Sequence, residues 1–321
     1  MLFSYAGANK IGGGVVWRIL ASRVGPLRFQ SIVPAGHGDY FGVRVLTAKV
    51  FFANLCTLFV WGEAGSSGAE LMPEFLETDM IEVKELRRRF GPVVAVDGVS
   101  FSAAKGQVVG LLGPNGAGKT TTMRMLTCYI QPDSGTASVC GHDILTDSIG
   151  VRRSLGYLAE NSPAYPEMTV GGFLKFICDI RQIKGRRRKA ALDRVVPMCS
   201  IESVYHQTIE TLSKGYKRRV GLAQALIHDP EVLILDEPTD GLDPNQKHEV
   251  RRLIGAMAKD KCIIISTHIL EEVEAVCSRA IIVARGKVLV DSTPQELKGK
   301  YHASLDEVFR RITTTQAAAT N

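Results

Sequence analysis

The sequence predicts an α/β fold in which a mostly parallel sheet is flanked by helices. Three short apolar runs have the character of buried strands, at residues 108–112, 231–235 and 262–265. Each run ends in small or polar residues, and a helical segment at residues 121–129 follows the first. Continuous apolar strands that alternate with helices are typical of parallel sheets covered on both faces.

The composition changes near residue 79. Residues 1–79 hold 11 of the 22 aromatic residues but only 12 of the 72 charged residues, and their apolar stretches show no sustained period. Three interpretations fit this segment: a targeting leader, a small accessory domain, or an extension that is disordered or results from a mis-assigned start. We expect the third, with Met80 as the natural first residue.

From Met80 onward the pattern becomes regular and predicts short strands joined by turns. A first strand is expected to end at a turn formed by Gly91 and Pro92, and a second follows at residues 93–101. Within the second run, the dipeptide at residues 97–98 is Asp-Gly, which is typical of hairpin turns. A further turn is therefore expected there.

The overall composition is that of a globular protein, with 45% hydrophobic residues, 22% charged residues and a formal net charge of +6. These values exclude a collagen-like chain and one that is disordered throughout. No apolar run reaches the roughly 18 residues needed to cross a bilayer. The seven cysteines form no CxxC pair, so they indicate buried thiols in a reducing compartment rather than a zinc site.

A glycine-rich loop follows the first apolar run and has the spacing of a phosphate-binding motif. The pattern GxxxxGK[ST] is formed by Gly113, Pro114, Asn115, Gly116, Ala117, Gly118, Lys119 and Thr120. Glycines let backbone N–H groups turn toward phosphates, and the N-terminus of the next helix adds positive potential. Lys119 is expected near the β- and γ-phosphates, and the Thr120 hydroxyl near Mg²⁺. Together with Thr121, these residues are predicted to bind a nucleoside triphosphate.

Polar residues at the ends of the other two apolar runs suit the cleavage of a terminal phosphate. Asp236 and Glu237 follow the second run, and His268 follows the third. Asp236 suits Mg²⁺, and Glu237 is placed to orient or deprotonate the attacking water. His268 suits a contact to the γ-phosphate. Alone, such residues are more often parts of solvated loops or turns, but beside a phosphate-binding loop we expect the catalytic role.

In this order, the motifs resemble those of the ATP-binding subunits of ABC transporters. The resemblance covers residues 80–313, including the signature segment at residues 212–216 and the loop at residues 241–243 that pairs two subunits in the family. It implies an ABC ATPase fold, with a P-loop NTPase core, an antiparallel β subdomain and a helical subdomain near residues 160–215. Residues 314–321 are expected to form a flexible tail.

The resemblance also implies roles for individual residues, with ATP and Mg²⁺ as cofactors. Glu237 and His268 would be catalytic, while Thr120, Asp236 and Glu160 would hold the metal. Outside the glycine-rich loop, nucleotide contacts are implied for Phe90, Ser213, Gly215 and Asp243. For Phe90, a contact with adenine and a core position in the first strand both remain open.

Three residues depart from the usual pattern of the family. Lys214 stands in place of a glycine, Tyr216 in place of a glutamine, and Glu160 in place of the glutamine that links Mg²⁺ to the membrane partner. The carboxylate of Glu160 can ligate Mg²⁺ but repels the γ-phosphate. We expect it to remain a sensor on the metal side of the nucleotide.

The resemblance implies a dimer, as a homodimer or with a paired ATPase subunit, in which the signature of one subunit closes on ATP held by the other. Ser213 is expected to cap a helix at residues 214–228 and to form an anion site there. The implied partner is a separate membrane permease, and the signature resembles exporters of the drug, polysaccharide and gliding-motility branch. The alternative is a soluble non-transport ATPase that remodels a cytosolic partner.

The predicted location is the cytoplasmic face of the membrane. A basic run at residues 184–189 is expected to be a solvated helix face, with contact to an anionic lipid surface as the alternative. Aromatic residues are not interleaved with this run, so nucleic acid is not expected as a partner.

Overall fold

The computed structural model describes residues 79–160 and 164–318, and four strands nearer the N-terminus. These are β1 (Phe3–Ile11), β2 (Gly14–Ala21), β3 (Arg44–Leu46) and β4 (Cys56–Glu63). They pair antiparallel in the order β1-β2-β4-β3. The chain divides into two compact units, and these four strands belong to the first, Met1–Phe75, while the second is Leu76–Asn321. The rest of the first 78 residues lies outside the described residues. The prediction of a disordered extension or a mis-assigned start stays a prediction.

The second unit begins with strands and then alternates strands with helices. Its described strands are β5 (Asp79–Phe90), β6 (Val93–Ala104), β7 (Val108–Leu112), β8 (Ser134–Val139), β9 (His142–Asp143), β10 (Leu155–Leu158), β11 (Val232–Asp236), β12 (Cys262–Thr267), β13 (Arg279–Ala284) and β14 (Lys287–Ser292). Its described helices are α1 (Lys119–Leu126), α2 (Ser148–Ser154), α3 (Val170–Ile180), α4 (Gly185–Met198), α5 (Lys214–Leu226), α6 (Pro244–Ala258), α7 (Leu270–Val276), α8 (Pro294–Tyr301) and α9 (Leu305–Ala318). This is the predicted α/β class.

The central sheet has the strand order β10-β11-β12-β7-β13-β14. Its first five strands are parallel, and β14 pairs antiparallel with β13. The three apolar runs form β7, β11 and β12, which are buried along their whole length. Because these strands are parallel, their carboxyl ends meet at one edge of the sheet, where α/β proteins bind ligands.

The antiparallel sheet has the order β6-β5-β8-β9, and its first hairpin turns at Gly91 and Pro92 as predicted. The second predicted turn, at Asp97 and Gly98, is wrong because β6 continues through both residues. Gly98 has φ +76° and lies at a register shift against β5, so it forms a bulge. A glycine at positive φ accommodates an extra residue in one strand without reversing the chain.

Helices α3, α4 and α5 share one apolar core with the central sheet. Phe173 and Val195 are buried in it, and Thr169 caps α3 by accepting a hydrogen bond from the Gly172 N–H. Within the basic run, Arg188 pairs with Asp179, whereas the side chains of Arg186, Arg187 and Lys189 are exposed. None of the helices within the described residues is long and apolar enough to cross a membrane.

Helix α9 continues to Ala318, into the segment predicted to be a flexible tail. Ion pairs at i,i+4 spacing join Arg310 to Asp306 and Arg311 to Glu307, which stabilises an exposed helix face. Residues 319–321 lie outside the described part of the chain.

Candidate active site

The glycine-rich loop connects the carboxyl end of β7 to the N-terminus of α1. Gly118 caps α1 with φ +104°, and a Cβ there would overlap the carbonyl oxygen of Ala95 in β6. A Cβ at Gly113 would overlap the carbonyl oxygen of Val283 in β13. Gly116 also has a positive φ, of +79°, but a Cβ there would meet no described atom within 4 Å. The loop therefore needs glycine because of backbone conformation and because two neighbouring strands approach closely.

The side chain of Lys119 folds back over this loop. Its Nζ donates hydrogen bonds to the carbonyl oxygens of Gly113 at 2.6 Å and Pro114 at 3.1 Å. Burial lowers the pKa of Lys119, and three carboxylates act against this shift, those of Glu237, Asp236 and Glu160. An ammonium group that is buried and bonded to neutral carbonyls is well placed to bind phosphate oxygens.

Asp236 lies at the end of β11 and is fully buried. Its Oδ1 accepts hydrogen bonds from the hydroxyls of Thr120, at 3.2 Å, and Ser266. Within the described residues, its Oδ2 has no hydrogen-bond partner. A buried polar atom without a partner costs about 1–3 kcal/mol, so this oxygen is suited to a ligand. The donor set, a carboxylate beside a hydroxyl, fits Mg²⁺.

Glu237 and His268 lie in contact at the same edge of the sheet. The Nδ1 of His268 is 3.1 Å from each carboxylate oxygen of Glu237. The Glu237 backbone has φ +50°, and its N–H donates to the Ser266 hydroxyl at 3.0 Å. The Glu237 side chain is 12% exposed and that of His268 50% exposed. The two residues predicted to be catalytic are thus brought together next to Asp236.

Glu160 and Phe90 are both exposed. The charge of the exposed Glu160 carboxylate acts, with those of Glu237 and Asp236, against the lowering of the Lys119 pKa by burial. The ring of Phe90 is 45% exposed, and the guanidinium of Arg88 lies 5.0 Å from its centroid. This exposure contradicts the alternative of a core position for Phe90. An adenine contact stays a prediction.

The signature residues form a second group. Ser213 caps α5, as predicted, by accepting a hydrogen bond from the Tyr216 N–H at 3.3 Å. A Cβ at Gly215 would overlap the side chain of Gln246, so α5 and α6 approach closely here. Asp243 caps α6 by accepting from the Gln246 N–H at 2.9 Å. Ser213 and Asp243 are exposed, which leaves both open to a second subunit.

Known proteins of one family are similar to this chain. A family model described as ABC transporter matches residues 96–240. The chain is 36% identical over 226 residues to a Nod factor export ATP-binding protein I of Ralstonia nicotianae. The aligned region covers 70% of each chain. The chain belongs to the ATP-binding proteins of ABC transporters.

Other similar proteins extend this comparison. The probable multidrug ABC transporter ATP-binding protein YbhF of Escherichia coli is 37% identical over 222 residues, or 69% of this chain; the chain spans only 38% of that relative's length. A solved ATP binding subunit of an ABC transporter matches with TM-score 0.67 and 27% identity, over 73% of this chain and 99% of that one. CbiO1 of Clostridium perfringens matches with TM-score 0.61 and 27% identity, over 70% and 92%. The predicted family and fold class of this ABC ATP-binding protein are confirmed.

The residues that hold the predicted site residues in place were not predicted from the sequence. Ser266 bonds Asp236 and Glu237, and the guanidinium of Arg218 bonds backbone carbonyls on both sides of the site. A signal for Arg218 was present, because it shares the buried face of α5 with Gly215 and Leu222 at helical spacing. A basic residue on an apolar helix face is a candidate for a buried contact.

A second buried carboxylate joins the two loops that carry Glu237 and His268 in this ABC ATP-binding protein. Glu272, in α7, is 2% exposed. It accepts hydrogen bonds from the hydroxyls of Thr239 and Thr267, the latter at 2.8 Å. Burial raises the pKa of Glu272 above its usual value of 4.5. The raised pKa means that the folded state favours the protonated form more than the unfolded state does.

Glu272→Gln is expected to change the pH dependence of stability. A carboxyl whose pKa is raised on folding stabilises the fold below the unfolded pKa, and this contribution is lost as pH rises through the folded pKa. The melting temperature of Glu272→Gln relative to the wild type should therefore increase between pH 4.5 and neutrality. Thermal unfolding across that range, with the exposed neighbour Glu271→Gln as control, measures this. A difference that does not vary with pH would contradict the prediction.

Proposed function

We propose that this protein is the ATP-hydrolysing subunit of an ABC exporter and drives a separate membrane permease. The observation that carries the proposal is the arrangement at the edge of the sheet. There the Glu237 carboxylate contacts His268, and the preceding residue, Asp236, accepts a hydrogen bond from the Thr120 hydroxyl of the glycine-rich loop, while its other carboxylate oxygen has no partner within the described residues. Phosphate binding, metal binding and water activation are thus available at one place.

ATP binding would rely on the glycine-rich loop and Lys119. The N–H groups at the start of α1 and the buried ammonium provide donors for the phosphate oxygens. Lys119 would exchange its bonds to the carbonyls of Gly113 and Pro114 for bonds to phosphate, which are charge-assisted and stronger.

Mg²⁺ would be held by the Thr120 hydroxyl and the Asp236 carboxylate, with Glu160 as a third metal-side residue. When bound, it would neutralise charge on the β- and γ-phosphates. Ser266 keeps Asp236 in place by donating its hydroxyl hydrogen to Oδ1, so that Oδ2 stays available.

Hydrolysis would use Glu237 as the acceptor of a proton from the attacking water. The oxygen of that water bonds to the γ-phosphorus, the bond to the ADP oxygen breaks, and phosphate leaves. His268 would orient the Glu237 carboxylate and contact the γ-phosphate. Glu237 lies at the end of a buried strand with its backbone fixed by Ser266, so its position is well defined before ATP binds.

Ser213, Gly215 and Asp243 would act on the nucleotide of a second subunit. Ser213 and the first amides of α5 form a helix N-terminus that suits phosphate, and Ser213 and Asp243 are exposed. The active unit would then be a homodimer or a pair of related ATPase subunits with two ATP molecules between them. Release of phosphate would weaken this contact.

A permease partner and an export function are supported by the names of similar proteins. Two relatives are named for multidrug transport and Nod factor export, and cbiO1 is described as part of a transporter complex. The location would then be the cytoplasmic face of the membrane, where the exposed basic residues of α4 can meet anionic lipid. The alternative, a soluble ATPase that remodels a cytosolic partner, is not favoured by any of these names.

Affinity capture with Glu237→Gln tests the permease part of this proposal. The variant is expected to bind ATP and hydrolyse it poorly, so that its ATP-dependent complex persists. Used as bait in detergent-solubilised native membranes plus cytosol, it should retain a polytopic membrane protein that is released when ATP is withdrawn. Lys119→Met, which should bind ATP about a hundredfold more weakly, is the control at an ATP concentration that saturates only Glu237→Gln. Retention of soluble proteins or ribosomes alone would contradict the exporter function.

A further inference from the structure

One buried guanidinium connects two segments of the active site. Arg218, in α5, is 7% exposed, and its Nη1 donates to the carbonyl oxygens of Ala159 at 2.7 Å and Glu160 at 2.6 Å. Its Nη2 donates to the carbonyl oxygens of Asp236 and Glu237. Its Nε donates to that of Pro238 at 3.4 Å. One side chain therefore bonds the segment after β10 and the segment after β11.

This set of contacts uses the whole donor capacity of arginine. A guanidinium has five N–H groups in a planar fork, and each of them has a carbonyl acceptor here. Lysine has three donors on one nitrogen and cannot reach two segments in the same way. Because Arg218 bonds no carboxylate oxygen within the described residues, the contacts fix backbone positions and leave the carboxylates of Glu160 and Glu237 available.

The position of Arg218 links these segments to the signature. It lies in the second turn of α5, the helix that Ser213 caps. A rigid helix transmits displacement from its N-terminus to a buried side chain one turn further on. If a partner that contacts Ser213 displaced the N-terminus of α5, Arg218 would therefore transmit this displacement to the backbone of Glu160 and of Glu237.

We propose that Arg218 is a positioning residue that holds the Glu237 backbone in register with that of Glu160 and couples both to the signature end of α5. This inference rests on the proposed ATPase function. Glu237 has a left-handed backbone, which a non-glycine residue adopts only where its surroundings enforce it. Ser266 bonds its N–H and Arg218 bonds its carbonyl oxygen, so the peptide groups on both sides are held.

Arg218→Lys and Arg218→Met test this role against Lys217→Met. Lys217 is the adjacent basic residue, exposed, and donates to one carbonyl, that of Glu210 at 3.0 Å. We expect both Arg218 variants to lower kcat at least about tenfold while the ATP dissociation constant stays within about threefold, because a misplaced base affects turnover more than binding. Arg218→Lys should retain more activity than Arg218→Met, and Lys217→Met should behave as the wild type.

A second measurement does not depend on hydrolysis. Backbone amide hydrogen exchange in peptides covering residues 155–160 and 232–240 should be faster in Arg218→Lys than in the wild type, and unchanged in Lys217→Met. An unchanged kcat in both Arg218 variants, or unchanged exchange in both segments, would overturn the inference. So would a parallel loss of kcat, ATP affinity and melting temperature, which indicates a merely structural residue. If the wild type does not hydrolyse ATP, the proposed function fails, while the exchange experiment still decides whether Arg218 connects the two segments.

Discussion

Glu237→Gln is expected to lower the ATPase kcat by at least about a hundredfold and to leave ATP binding nearly unchanged, because general base catalysis contributes about 10²–10⁴-fold. An amide cannot accept the proton of the attacking water at neutral pH, yet it has the size of the carboxylate and keeps an oxygen for the contact with His268. The backbone bonds that hold Glu237, from Ser266 and Arg218, involve only its N–H and carbonyl groups. The substitution should therefore remove chemistry without displacing the loop.

Steady-state phosphate release and equilibrium binding of ATP, measured on the same preparations, check this expectation. Glu271→Gln is the matched control, because it makes the same chemical change at an exposed residue in the first turn of α7. It should leave both quantities within about twofold of the wild type. A Glu237→Gln variant that keeps wild-type turnover would show that another group accepts the proton.

Local sequence patterns predicted the parts of the site that depend on chain neighbours. The run at residues 108–112 is a strand, the loop after it has the required positive φ values, and Ser213 caps its helix. In each case the deciding interactions lie within a few residues: burial of a continuous apolar run, freedom of a glycine backbone, or a hydroxyl three residues before the N–H it accepts from.

The parts that were not predicted depend on contacts between distant segments. Arg218 meets residues 159–160 and 236–238, and Glu272 meets Thr239, far along the chain in each case. Their acceptors or donors include backbone groups and threonine hydroxyls, which leave no pattern in the sequence. At Gly98 a sequence pattern exists but fits two structures, because Asp-Gly is compatible with a turn and with a bulge. Pairing with β5 selects the bulge.

The same distinction applies to the metal-side residues. The sequence places Asp236 at a strand end, but it does not show that Thr120 and Ser266 both bond Oδ1 and leave Oδ2 without a partner within the described residues. Glu160 was predicted by position alone. Its backbone is fixed by Arg218 while its carboxylate is exposed, which is the arrangement expected of a side chain that responds to a ligand without moving the chain.

Lys119→Met is expected to weaken ATP binding about a hundredfold, since hydrogen bonds to charged groups contribute about 1.5–3 kcal/mol each. Methionine keeps the apolar length of the buried side chain and removes only the ammonium group. The free protein should not lose stability, because burial lowers the pKa of Lys119 and its removal relieves the cost of burying a charge. Loss of the bonds to Gly113 and Pro114 acts in the other direction, so the net change in melting temperature should be small.

Thermal unfolding with and without ATP separates these effects. A ligand that binds only the folded state raises the free energy of unfolding by RT ln(1 + [L]/Kd). The wild type and Lys105→Met, a change at an exposed lysine in the turn before β7, should show the full upward shift with ATP. Lys119→Met should match them without ATP and show little shift at the same concentration. If Lys119→Met shifted as strongly as the wild type, the buried ammonium would not contribute to ATP binding. If instead it melted well below the wild type without ATP, the bonds to the loop carbonyls would outweigh the cost of the buried charge.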